Sequence, residues 1–336
     1  MTPWKKFRYR LEWLALMAAL KVVPLLSRGA CYRLAGFAGS VAARFDARGR
    51  RVALSNLESA LGDELTPARR KEIVRQSYGH FARTMLDLFW SPRLNAGNFS
   101  DYVELEGVEE WRAATGPSRR CIVGAFHYGN FEWLSLACGW VGFPGAIATE
   151  EFKNPLLLGF FQKLRDQSGN RTVARDGAII RLYKMLRKGG PVALLVDTTL
   201  PPHYPTVVID CFGLKTIVTV AHAWLQERTG VPLVPMHTEA LPGGRYRVVV
   251  HPAVAVRPGA THQEIAQACW DSFEPVVRRD PAPWLWMYKH WRYKPAGAQG
   301  YPFYSQESDA FEQIAARRNY AKLDRAALEK RVESPS

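Results

Sequence analysis

The order of apolar runs and helical patterns predicts an α/β protein with a mixed central sheet flanked by helices, preceded by a hydrophobic, membrane-associated helix at the N-terminus. Three observations carry this. From Cys121 onward, short apolar runs alternate with helical repeats, the pattern of strands joined by crossover helices. Val231–His237 and Tyr246–His251 are separated by Pro242-Gly243-Gly244, a turn that makes them a strand pair. Near the start, Trp13–Leu26 is apolar except at Lys21 and Pro24. At 336 residues and 47% hydrophobic, the chain can bury a large core and is not disordered over most of its length.

The N-terminal run follows Lys5, Lys6, Arg8 and Arg10. Fourteen residues make a helix of about 21 Å, short of a hydrocarbon core of roughly 30 Å. A cleaved signal is disfavoured, because Arg28-Gly29 stands where a small-residue cleavage site is needed. Two readings remain: a transmembrane anchor over Leu11–Ala30 with Lys21 snorkelling, or an interfacial helix held by Trp4, Trp13 and the basic flank. Either places the start on the cytoplasmic side. We divide the chain into this element (1–30), a central domain (31–300) and a polar helical tail (301–336) with little apolar face.

Thr66 and Pro67 are a helix cap and first position, and Val74, Tyr78, Phe81, Met85 and Leu88 form one helical face, which an ordinary packing helix explains. Ile122–Phe126 reads as a buried strand and Asn130–Trp140 as a helix capped by Asn130. The order continues with strands at 145–149 and 170–175, a helix from Pro155 to Leu164, a helix over Ile179–Arg187 stopped by Gly189-Gly190, and a strand over Pro191–Val196 ending at Asp197. Helices over Val218–Arg228 and Ile265–Val277 follow, the second opened by a Thr261/Glu264 capping box. Trp284, Trp286 and Tyr288 alternate as on a final strand; a stacking surface for single-stranded nucleic acid is the other reading of this cluster.

The chemistry centres on the strand-to-helix junction at His127-Tyr128-Gly129-Asn130-Phe131-Glu132. His127 leaves the strand at the sheet edge, where ligands bind in α/β folds. Glu132 falls in the first helical turn. An imidazole can take a proton from a hydroxyl while a carboxylate fixes its tautomer and raises its pKa. His-x4-Glu alone is a weak pattern. The five cysteines are scattered without a C-x-x-C pair, which argues against a disulfide framework or a zinc site, and Cys121 has no partner that would make it a nucleophile. There is no nucleotide-binding glycine motif.

The block resembles the His-Phe-Gly-Asn-Trp-Glu motif of the late acyltransferases of lipid A biosynthesis, within the His-x4-Asp/Glu glycerolipid acyltransferase superfamily; Phe131 stands where the family has Trp. The resemblance extends in order to Arg48–Arg51 before Asn56-Leu57, Lys153-Asn154-Pro155, Arg165 with Gly169, Arg175, Asp197, Phe212-Gly213 with Thr219, and Trp284–Arg292. It spans Trp4 to Lys294. The family follows its aspartate with Gln or His and a Gly, whereas Asp197 here precedes Thr-Thr-Leu-Pro-Pro.

The resemblance implies transfer of a fatty acyl chain from acyl carrier protein or CoA to a hydroxyl of a lipid A precursor or related glycolipid. This would occur on the cytoplasmic face of a bacterial inner membrane, without metal or other cofactor. His127 would be the general base and Glu132 its orienting carboxylate. Arg165 and Arg175 would bind an oxyanion or phosphate, with Asn130 and Asp197 in support. A helix-end cation on the macrodipole is the plain alternative for Arg165. Other readings are a lysophospholipid or ornithine-lipid acyltransferase, and a non-catalytic protein that binds anionic membrane. The net charge of +14 calls for an anionic partner, membrane lipid or an acidic carrier protein. Nucleic acid is not expected, since no finger, RRM or helix-turn-helix signature accompanies the charge.

Overall fold

The structure is a computed structural model and describes residues 2–149, 154–174 and 177–320. Four helices open the chain: α1 (Pro3–Val22), α2 (Arg28–Phe45), α3 (Ala47–Leu61) and α4 (Pro67–Trp90). Pro24 lies in a short 3-10 turn after α1, so Leu11–Ala30 is not one continuous helix. Among the described residues no helix is long and apolar enough to cross a membrane.

The central part runs β1 (Val103–Glu106), α5 (Val108–Thr115), β2 (Ile122–Ala125), α6 (Phe131–Trp140), β3 (Ala146–Thr149), α7 (Leu158–Asp166), β4 (Arg171–Ala174), α8 (Ala178–Arg187) and β5 (Val192–Leu195). It continues with β6 (Thr206–Cys211), β7 (Leu214–Thr219), α9 (Ala221–Thr229), β8 (Leu233–Leu241), β9 (Arg245–Val250), α10 (His262–Asp271), α11 (Glu274–Arg279), β10 (Tyr293–Lys294), β11 (Gln306–Glu307) and α12 (Asp309–Arg317). Seven strands form a mixed sheet in the order β1-β9-β8-β2-β5-β3-β4. Strands β8, β2, β5, β3 and β4 are parallel, and β9 turns back antiparallel on β8 through Pro242–Gly244.

Side chains alternate between two apolar layers. On one face Ile122, Val192 and Leu233 meet Leu182 and Leu186 of α8, Trp224 of α9 and Ile265 of α10. On the other, Val123, Ala125 and Val234 meet Trp111 of α5, Trp133 of α6 and Leu164 of α7, with Leu16, Ala19 and Leu20 of α1 packed outside them.

Four expectations change. The helix placed over Val218–Arg228 starts only at Ala221. Val218 and Thr219 belong to a β6–β7 hairpin, whose two turn residues, Phe212 and Gly213, both have positive φ, the geometry of a tight hairpin turn. The helix after Thr261 keeps its capping box but breaks at Ser272–Phe273 before α11, which has Pro275 in its first turn. Trp284–Trp291 forms no regular strand beyond a single bridge from Trp284 to Tyr128, and Trp284, Trp286 and Trp291 are fully buried, so they offer no stacking surface. Of the tail, α12 seats Phe311 and Ile314 against Val208 and Ile217 of the hairpin, an apolar face the sequence did not suggest; residues 321–336 lie outside the described residues.

Candidate functional site

Parallel register builds the site. Ala125 at the end of β2 pairs with Leu195 at the end of β5, and His127 and Asp197 each lie two residues beyond. Both therefore leave the sheet at one level. The Asp197 carboxylate accepts the His127 backbone N–H at 2.9 Å, and its other oxygen lies 2.8 Å from His127 Nδ1. Trp284 donates its indole N–H to the same carboxylate at 3.0 Å.

The Asp197 side chain is fully buried, while 22% of the His127 side chain is exposed. Burial works against the Asp197 charge, but the His127 charge and hydrogen bond, His290 and the Trp284 N–H outweigh it and hold the carboxyl at about 2. Burial likewise pulls the His127 imidazole down; the Asp197 charge and hydrogen bond, with a smaller contribution from Glu132, leave it net above its ordinary value. An ionised Asp197 fixes the Nδ1–H tautomer and leaves the Nε2 lone pair for a substrate proton. Phe131 meets the imidazole edge-on at 5.2 Å between ring centres, and Tyr288 lies nearly parallel to it at 6.4 Å.

Glu132 sits in the first turn of α6 as its position predicts, but its carboxylate is turned to α7. Arg165 grips it with two hydrogen bonds, Nε to Oε2 at 2.9 Å and Nη2 to Oε1 at 2.5 Å. The orienting contact to His127 expected of Glu132 is thus made by Asp197, because strand register brings Asp197 alongside the ring while the helix directs Glu132 away. Arg165 is not a surface helix-end cation: its side chain is mostly buried. Burial lowers its pKa, and the charge and hydrogen bond of Glu132 reverse this to a net rise.

The loop between His127 and α6 is clamped from three sides. Gly129 has φ 57°, and a Cβ there would stand 2.3 Å from the Thr238 carbonyl of β8. Its carbonyl accepts from Thr84 of α4 at 2.9 Å, and Leu285 N–H donates to the His127 carbonyl at 3.1 Å. Asn130 is the α6 cap: its side-chain oxygen accepts from Trp133 N–H, and its amide donates to Asp87 of α4 at 3.0 Å. Asp87 also accepts from Arg28 of α2 and from Tyr246, each at 2.6 Å. Asn154 caps the turn before α7 and donates to the Tyr9 carbonyl and Glu12 of α1.

The structure therefore brings His127, Glu132, Asn130, Arg165 and Asp197 to one sheet edge. Arg175 and Lys153 lie outside the described residues. Sequence reasoning missed Trp284 and Tyr288 as parts of the site; their Trp-Leu-Trp run signalled a strand, and nothing local shows that it folds back over Asp197. Among the described residues no three His, Cys, Asp or Glu side chains gather as a metal site. Burial pushes the Cys121 thiol up to about 12, an unreactive state.

Residues 2–293 match the model of a family described as bacterial lipid A biosynthesis acyltransferase. The chain is also similar to a lipid A biosynthesis lauroyltransferase of Escherichia coli (strain K12), with 25% identity over 297 residues, 86% of this chain and 94% of that protein.

Proposed function

The chain belongs to the bacterial lipid A biosynthesis acyltransferase family, and we propose that it moves a fatty acyl chain from an acyl thioester to a hydroxyl of a lipid A precursor or related glycolipid, with His127 as general base. The observation that carries the base assignment is the His127–Asp197 pair. Its geometry leaves one imidazole nitrogen to take the acceptor proton while a buried carboxylate balances the charge that appears on the ring.

In this reading His127 Nε2 removes the hydroxyl proton as the oxygen attacks the thioester carbonyl. The tetrahedral oxyanion then collapses, the C–S bond breaks, and the imidazolium returns the proton to the departing thiolate. Asp197 stays ionised throughout. Arg165, held by Glu132, supplies the charge for the oxyanion or for an acceptor phosphate, a role worth about 3 kcal/mol where such donors have been removed from other enzymes. Arg175 is proposed for the same anion-binding role. The donor is acyl carrier protein, whose acidity suits the charge of +14, with CoA as the competing carrier. No metal or nucleotide enters the steps. The protein works at the cytoplasmic face of the inner membrane, with α1 as a membrane-associated element.

The test is a transfer assay in mild detergent with acyl carrier protein charged with mixed saturated chains. A tetraacylated lipid A precursor and a lysophospholipid are offered together, and products are read by mass for wild type and His127→Ala. One added acyl mass on the lipid A precursor, lost in the variant, is the expected result. Acylation of the lysophospholipid alone overturns the acceptor; no transfer to either overturns the reading.

A further inference from the structure

Helix α2 has its side-chain sizes the wrong way round for water. Its inner face is small: Cys31, Ala35, Gly39 and Ala43 are buried, and a Cβ on Gly39 would stand 2.6 Å from the Gly79 Cα of α4. Its outer face is large. Leu34, Phe37, Val41 and Phe45 follow one another at helical spacing and touch water, with Phe37 69% and Phe45 78% exposed. Globular helices bury the large residues and expose the polar ones. Small residues inside and large ones outside is how helices pack where lipid is the solvent. On α1, Trp4, Phe7, Leu11 and Leu14 are exposed in the same way. Eleven of the fourteen large hydrophobic side chains exposed among the described residues lie between Trp4 and Phe45. So strong a concentration of exposed apolar side chains in the first two helices is more than the single scatter of an ordinary surface, and on α2 it forms one continuous stripe.

Charge selects the occupant. Helix α2 contains no acidic residue, and Arg33 and Arg44 border its apolar stripe. Helix α1 brings Lys5, Lys6, Arg8 and Arg10 against a single acid, Glu12, which Arg8 and Asn154 already engage. An apolar centre with a cationic border fits an anionic lipid surface; a second copy of this surface would bring like charges together.

We propose that the outer face of α2 is a second membrane-inserting surface, which with α1 seats the protein on one leaflet of an anionic bilayer without spanning it. The consequence reaches the site. Helix α2 is fixed to α4 by the Gly39–Gly79 approach and by Arg28–Asp87, and α4 holds Gly129 and Asn130 through Thr84 and Asp87. Docking α2 therefore sets the height of His127 above the lipid headgroups. The surface itself stands apart from the acyl-transfer reading; only its use in presenting a lipid acceptor rests on that reading, and vesicle binding is measured without turnover.

The experiment is flotation of the full chain with phosphatidylglycerol/phosphatidylethanolamine vesicles and with phosphatidylcholine vesicles. The Phe37→Ser/Val41→Ser/Phe45→Ser variant is expected to bind the anionic vesicles at least about tenfold more weakly than wild type, with the remainder released by high salt. A second variant covers loss of folding. The five native cysteines are buried, so Phe37→Cys takes an environment-sensitive fluorophore selectively, and its emission should shift to the blue on anionic vesicles. Unchanged partitioning of the triple variant, or no spectral shift, overturns the proposal. So does a wild-type dimer that the triple variant converts to monomer while vesicle binding is retained, which would assign the face to self-association.

Discussion

At the scale of residues, the question is which carboxylate serves the imidazole. Glu132 is nearer in sequence, but Asp197 makes the hydrogen bonds, and Glu132 acts on His127 only through space. The two are separable by pH. As the proposed base, His127 would work when neutral, so kcat/KM should rise with pH through its raised pKa. Asp197→Asn keeps the shape but removes the charge, and we expect kcat to fall by roughly 10²–10⁴-fold. The acid limb of kcat/KM should move to lower pH, because the imidazole loses its main support. Glu132→Gln should leave that limb nearly in place and lose activity through a loosened Arg165. A limb unmoved in Asp197→Asn would remove Asp197 from the mechanism. The sign for stability is opposite in origin: Asp197 is depressed to about 2, so its contribution is present above the ordinary carboxylate value of 3.8 and is lost as the pH falls through about 2. His127 and its junction were legible from sequence because they are local. Asp197 was read only as a support at a strand end; its pairing with the ring was not legible, since strand register joins residues 127 and 197, and no spacing rule reports which parallel strand lies beside which.

At the scale of elements, the strand-turn-helix unit around Gly129 was legible because every signal in it is local: an apolar run, a glycine and an asparagine cap. What the sequence could not show is why the glycine is required. The turn needs a positive φ and also lies against the Thr238 backbone of β8. Gly129→Ala meets both penalties, and we expect about 3 kcal/mol of destabilisation in denaturant melts together with loss of transfer. Asn130→Ala removes the cap and one donor to buried Asp87, a loss of about 1–2 kcal/mol. Near-wild-type melting of Gly129→Ala would mean that the turn relaxes away from β8. The misread elements share a cause. Val218-Thr219 continued an apolar run into a helical pattern, and the positive φ at Phe212, the other half of the hairpin signal, is not visible in a residue type that rarely adopts it. Trp284 to Trp291 alternate as a strand would, yet burial of the indoles against Phe212, His290 and Asp197 decides their path. Composition reports that such a cluster is apolar, not what it folds around.

At the scale of the whole molecule, the sheet divides the tasks. Helix α1 packs outside the α5–α7 layer, whereas α8 covers the opposite face and exposes Lys184, Arg187 and Lys188, and none of the exposed large hydrophobics among the described residues lies on it. The exposed apolar side chains of α1 and the cations of α8 are thus on opposite faces of the sheet, which on the proposed reading lets an acidic donor approach while a bilayer is bound. With a net charge of +14 the field extends beyond any single contact. Encounter with an acidic carrier protein should then be steered, and steering is screened once the Debye length falls below the approach distance. We expect kcat/KM for the carrier-bound donor to fall about tenfold as salt is raised from low to several hundred millimolar, while kcat at saturating donor changes little. A short acyl thioester of low charge should show a nearly flat response under the same conditions, since its encounter gains little from the field. On the proposed mechanism both donors use the same His127 and Asp197, so a salt effect on the chemistry would appear in both. Equal falls for the two donors would therefore place the salt dependence in the site or in lipid binding, and would remove steering from the account of why this chain carries so much positive charge.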